Sequence, residues 1–78
     1  MIAEDGTFEV WVATEIDDEG GELILGVHDT PEGAGRTLYA NGFSWSTAPP
    51  DGGGMGWCRK ATDGRWVRAD VTRWKVAR

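Results

Sequence analysis

One cysteine, Cys58, stands in 78 residues, so no disulfide can close within the chain. A single histidine, His28, leaves no Cys/His set with the spacing of a zinc site, and no metal or cofactor is expected. No apolar run approaches the ~20 residues that a membrane span needs. The opening MIAEDGTFEV also lacks the basic and apolar regions of a signal peptide, so a soluble, cytoplasmic protein is the expectation. Lys and Arg are missing from all of residues 1–35, which hold ten Asp and Glu, whereas residues 36–78 hold eight basic and three acidic side chains. The net charge of −5 argues against general nucleic-acid binding. Two explanations fit the uneven split: strands from the two halves lie side by side and neutralise one another, or the molecule has an acidic and a basic face. We favour the first, because sequence halves rarely map cleanly onto surfaces.

At this length the chain is one domain, 1–78, near the size where a core without a staple is only marginally stable. Little room is left for a deep catalytic pocket. TFEVWVATE alternates, setting Phe8, Val10 and Val12 on one side and Glu9, Trp11 and Ala13 on the other, as in a half-buried strand. ELILGVH repeats the pattern with Leu23, Leu25 and Val27 against Ile24 and His28, and IDDEGG between them supplies a turn. DTPEGAGRTLYANG has the marks of a short helix: Asp29 or Thr30 as N-cap, Pro31 in the first turn, and Asn41-Gly42 as the stop. Gly33 and Gly35 inside it cost about 1 kcal/mol apiece relative to alanine, so the helix depends on packing Ala34 and Leu38 against a sheet.

Residues 43–56, FSWSTAPPDGGGMG, have no periodicity and read as a long surface loop, a kind of segment that often carries function. Strands are expected at 57–61 and 65–69 around a Thr62-Asp63-Gly64 turn, then a kink near Asp70 and a last strand at 71–77. The order is ββαβββ, an α+β fold of a small antiparallel sheet with one helix. An SH3-like small barrel is the alternative if 30–41 is not helical.

Catalysis has little to draw on. His28 would have to act with Cys58, Ser44 or Ser46, and a lone histidine on a strand is usually structural. DGGGMG lacks the Gly-Lys-Ser/Thr ending of a phosphate loop. A non-catalytic protein is expected. Glu15, Asp17, Asp18, Glu19 and Glu22 crowd a turn without the spacing of an EF-hand; acidic hairpin tips are usually solvated, and a Ca²⁺ site and a phosphate mimic that fits a basic groove are the alternatives.

Five tryptophans, Trp11, Trp45, Trp57, Trp66 and Trp74, exceed what one modest core needs, and tryptophan is enriched at binding hot spots. If Phe8, Val10, Val12, Leu23, Leu25 and Val27 form the helix-covered face, Trp11 and Ile24 lie on an uncovered one. The expected partner-binding residues are the five tryptophans, Ile24 and the acidic tip. Arg59, Lys60, Arg65, Arg68, Arg73 and Lys75, interleaved with Trp57, Trp66 and Trp74, form the alternative: cations beside aromatic platforms, as in single-stranded nucleic-acid binding. A virion or assembly component, and a homodimer, are further possibilities.

The hairpin–helix–hairpin layout resembles very small acidic proteins encoded by bacteriophages and other mobile elements. Trp57-x-x-Lys60-x-x-Asp63-Gly64-x-Trp66-Val67 is similar, over about a dozen residues, to the terminal hairpin of one anti-CRISPR family. The acidic first half and the glycine-rich loop have no counterpart there. The resemblance implies a non-catalytic protein that binds a host complex and blocks a site on it.

Overall fold

The computed structural model describes residues 7–17 and 19–77. β1 (Thr7–Ile16) and β2 (Glu22–His28) form an antiparallel hairpin. Asp17 closes its turn: Oδ1 accepts the N–H groups of Glu19 at 2.9 Å and Gly21 at 2.7 Å, and Gly20 takes the left-handed conformation at φ +84°. Asp18 lies outside the described residues. Helix α1 (Pro31–Ala40) is capped by Thr30, whose hydroxyl accepts the Gly33 N–H at 3.1 Å, and Pro31 sits in the first turn, where no N–H is needed. Then come β3 (Ser44–Ser46), β4 (Gly56–Lys60) and β5 (Trp66–Ala77). The last hairpin closes through the Ala61 N–H, which donates to the Arg65 carbonyl at 2.7 Å. Asp63 accepts the Arg65 backbone N–H and its Nε, and these bonds hold the Asp63 carboxyl below the usual carboxylate range.

The fold is α+β, with elements in the order ββαβββ. The antiparallel sheet runs β2-β1-β5-β4-β3, leaving β2 and β3 as open edges, so the small-barrel alternative does not hold. No helix among the described residues is long and apolar enough to cross a membrane. β1 and β5 pair from Thr7↔Ala77 to Ile16↔Arg68, which sets the acidic first half beside the basic last strand. Glu15 meets Arg59 at 2.7 Å and Glu9 meets Arg73 at 3.9 Å, so neutralisation across strands operates at these pairs.

Two expectations about the second half need correction. β5 runs unbroken through Asp70, because its pairing to β1 continues at Thr14↔Asp70 and the Asp70 carboxylate accepts the Val71 N–H at 2.9 Å instead of kinking the chain. The segment 43–56 is not one surface loop. Phe43 is fully buried, Ser44–Ser46 pairs with β4, and Gly56 already belongs to β4, so the irregular part is 47–55.

Ala13, Ala34, Leu38, Phe43, Val67 and Ala69 form the buried core, with Trp11, Leu25, Trp57, Ala61 and Val71 packed against it. Ala34 and Leu38 bury the helix against the sheet as its two glycines require, and full burial of Leu38 and of Phe43 stabilises the fold by about 1.5–3 kcal/mol each. The alanines at 13 and 69 let the helix approach. Phe43 follows the helix directly, its N–H donating to the Leu38 carbonyl at 3.0 Å, and the Arg59 guanidinium stands 5.1 Å from its ring centroid.

The helix therefore covers the face of Trp11 and Ala13, not the expected face of Phe8, Val10 and Val12. Residues paired directly in an antiparallel sheet share a face, and successive residues alternate. Because VWVA is apolar on both sides, alternation cannot choose between them. A register shift in the β1–β2 pairing adds to this: Ala13 pairs with Gly26 and Thr14 with Ile24, leaving Leu25 as the extra residue. Leu25 packs on the core while Leu23 and Val27, expected beside it, are both 57% exposed.

Candidate functional site

The face opposite the helix is built from Phe8, Val10, Val12 and Thr14 of β1, which pair with Val76, Trp74, Thr72 and Asp70 of β5, and from Val27 and Ile24 of β2, which pair with Val12 and Thr14. Val12 and Thr14 are buried at its centre, whereas Ile24, Val27 and Trp74 are each more than half exposed. Ile24 and Trp74 are where a partner-binding role was expected. Val27 is a new member: it pairs with Val12 and lies on this face because the helix covers the other side, while the extra residue in β2 brings Ile24 onto the same face.

The other tryptophans do not join this face as one surface. Trp11 packs against the core, so its expected place on the uncovered face is corrected. Trp57 also packs there, its ring 3.4 Å from where a Cβ on Gly35 would lie. Trp45 pairs with Trp57 across the strands and meets its ring edge-on, with centroids 5.8 Å apart. Trp66 pairs with Lys60, and its place in β5 puts it on the same side as Trp74, about 26 Å further along the strand at ~3.3 Å per residue.

A shallow pocket of about 250 Å³ opens where the 47–55 loop meets the sheet, with Trp45, Met55, Arg68 and Asp70 in its wall. Arg68 anchors the loop: its guanidinium donates to the Gly54 carbonyl and lies 3.6 Å from the Asp51 carboxylate. Trp45 and Met55 stay 54% and 64% exposed at the rim, and Tyr39 on the helix is 73% exposed. Met55 lies in the 43–56 segment that was expected to be exposed, whereas Tyr39 carries no periodic signal that marks exposure and was passed over.

The acidic tip is already engaged in part. Glu15 is bonded to Arg59, Asp17 holds its own turn, and Glu19 and Glu22 face solvent. No three His, Cys, Asp or Glu side chains converge as a metal site among the described residues. The cations of the nucleic-acid alternative are also partnered: Arg59 with Glu15, Arg65 with Asp63, Arg68 with Asp51 and Arg73 with Glu9, while Lys60 and Lys75 make no ion pair among the described residues. With Trp57 on the helix side and Trp66 and Trp74 on the other, the expected row of aromatic platforms is split between two faces.

His28 and Cys58 are not brought together. They lie on β2 and β4, with β1 and β5 between them; His28 Nε2 is bonded to the Thr37 hydroxyl at 2.6 Å, and Cys58 is buried. No protein-family model matches this chain, and no curated protein or solved structure matches it either.

Proposed function

We propose that this protein is a non-catalytic binding protein that engages a protein partner through the uncovered face of its sheet and blocks a site on that partner. The observation that carries the reading is the group Ile24, Val27 and Trp74, each more than half exposed on the face opposite the helix. Clustered large apolar side chains on a small acidic protein favour burial against a partner, and tryptophan contributes heavily at such contacts. Glu19 and Glu22, in and beside the turn that leads into β2, give the association a negative steering charge. Met55, which shares a pocket wall with Asp70 of this face, extends the contact surface. A cytoplasmic setting goes with a lone, unpaired cysteine. A host complex as the target, with the chain supplied by a phage or other mobile element as an inhibitor or adaptor, is the form of this role that the hairpin resemblance implies.

The test is an affinity capture from a bacterial lysate treated with nuclease, run with the wild-type chain, with Ile24→Glu/Val27→Glu and with Tyr39→Ala. The reading expects a stoichiometric protein that survives nuclease, is lost with the double variant and is kept with Tyr39→Ala. Partners that vanish with nuclease, or a partner held equally by all three chains, would overturn it.

A further inference from the structure

Among the described residues, β5 has one flank paired over most of its length and one flank mostly unpaired. Along the first it pairs with β1 from Arg68 to Ala77; along the second, β4 pairs with it only from Trp66 to Ala69. The direction of the bare flank follows from the last hairpin. Ala61 and Arg65 are hydrogen-bonded across it, and in an antiparallel ladder every second residue repeats that orientation, so Val67 and Ala69 bond toward β4. Val71, Arg73, Lys75 and Ala77 aim their N–H and C=O groups the same way, past the end of β4, and no strand among the described residues pairs with them there. The Val71 N–H is taken up by Asp70. The next three residues in the series present a ready ladder edge, with the Arg73 side chain 64% exposed and Trp74 53% exposed.

We propose that this edge of β5, from Arg73 to Ala77, binds an extended peptide strand in which acidic and apolar residues alternate. The bonding groups of the edge lie in the plane of the sheet, and although the Trp74 and Val76 side chains also belong to the uncovered face, main-chain pairing there does not rest on the function proposed above. Its occupant is indicated by what β5 already accepts on its other flank. There Phe8-Glu9-Val10 of β1 stands against Val76-Lys75-Trp74, acid opposite cation and apolar opposite apolar. The same strand chemistry repeated on the bare flank sets acids beside Arg73 and Lys75 and apolar side chains beside Trp74 and Val76. Lys75 has no ion-pair partner among the described residues, and Arg73 reaches Glu9 only at 3.9 Å.

Charge also argues against a second copy of this chain at the edge. Antiparallel self-pairing in the hydrogen-bonded register sets Arg73 against the second copy's Lys75, or Arg73 or Lys75 against itself, and like charges directly opposite one another disfavour each arrangement. Main-chain bonding to an open edge supplies affinity, and the alternating side chains supply selectivity.

The test uses the full chain, isotope-labelled for NMR, and a synthetic nine-residue peptide alternating glutamate and valine. Controls are a lysine–valine peptide of the same length and a glutamate–valine peptide with prolines at the positions that bond the edge. The glutamate–valine peptide should bind at least about tenfold more tightly than either control, a difference of ~1.4 kcal/mol. On binding, the Arg73, Lys75 and Ala77 amides should become protected from hydrogen exchange. Arg73→Gln/Lys75→Gln, two exposed positions, should weaken binding about tenfold with the fold unchanged by circular dichroism. Absence of binding, equal binding of the acidic and basic peptides, or indifference to proline would overturn the proposal. Shifts centred on Ile24 and Val27 would also overturn it and would leave the uncovered-face reading standing. A chain that dimerises through β5 without peptide would replace it with self-pairing.

Discussion

Replacing Phe43 with alanine removes a side chain that is 0% exposed and placed where the helix returns to the sheet. Truncation of a fully buried phenylalanine costs about 3–5 kcal/mol, the transfer loss plus the cavity left behind. The Arg59 guanidinium, 5.1 Å from the ring centroid, loses a further ~0.5–1 kcal/mol of cation–π attraction. A domain of this length has about 4–12 kcal/mol in total, so Phe43→Ala should bring the fold to the edge of unfolding at 25 °C. Phe43→Leu keeps most of the apolar volume and should cost less than half as much. Urea titration followed by far-UV circular dichroism reads both. At an m-value of roughly 1 kcal/mol/M, the alanine variant should lower the midpoint by about 3.5–6 M with m unchanged. A midpoint lowered by less than about 0.5 M at constant m would mean that the ring is not in the core, and that 43–56 is the surface loop its composition suggests.

Gly35→Ala should raise Tm by about 2–6 °C, since the helix gains propensity and the new methyl meets the Trp57 ring at an ordinary 3.4 Å. Gly33→Ala should fail to give this gain, because its Cβ would crowd His28 and the Thr30 hydroxyl at 3.1–3.2 Å; equal gains by calorimetry would contradict the close approach of helix and β2. Trp11→Ala should cost about 2–4 kcal/mol in urea unfolding, and Trp74→Ala less than half of that, because only Trp11 packs on the core. Equal losses would reverse the assignment of the two sheet faces.

The elements that sequence made legible are those with local chemistry. Thr30-Pro31 and Asn41-Gly42 bracket the helix, Asp17 with Gly20 closes one turn, and Asp63 with Gly64 closes the other. Sidedness was not legible, because β1 is apolar on both faces and the extra residue at Leu25 is set by pairing that only the folded sheet contains. Ile24 and Trp74 could be picked out as partner-binding positions, whereas Val27 could not: it pairs with Val12, and its exposure follows from the helix taking the opposite face. Phe43 was hidden for a similar reason: glycine and proline dominate its neighbourhood, and its burial comes from the helix before it and the Arg59 side chain above it.

The pairing of β1 with β5 joins the first strand to the last at the middle of the sheet. No part of that ladder is local: even its nearest pair, Ile16↔Arg68, closes a loop that contains the helix and three other strands' worth of turns and pairings. During synthesis, β1 and β2 leave the ribosome with their central neighbour still unmade, and the aliphatic surface of VWVA must wait for it. Assembly is thus a late, single event rather than an accretion, slowed by the cost of long-range closure. A nascent chain stalled before Trp66 should be open to protease throughout, and release of the last strand should convert it to a resistant form in one step.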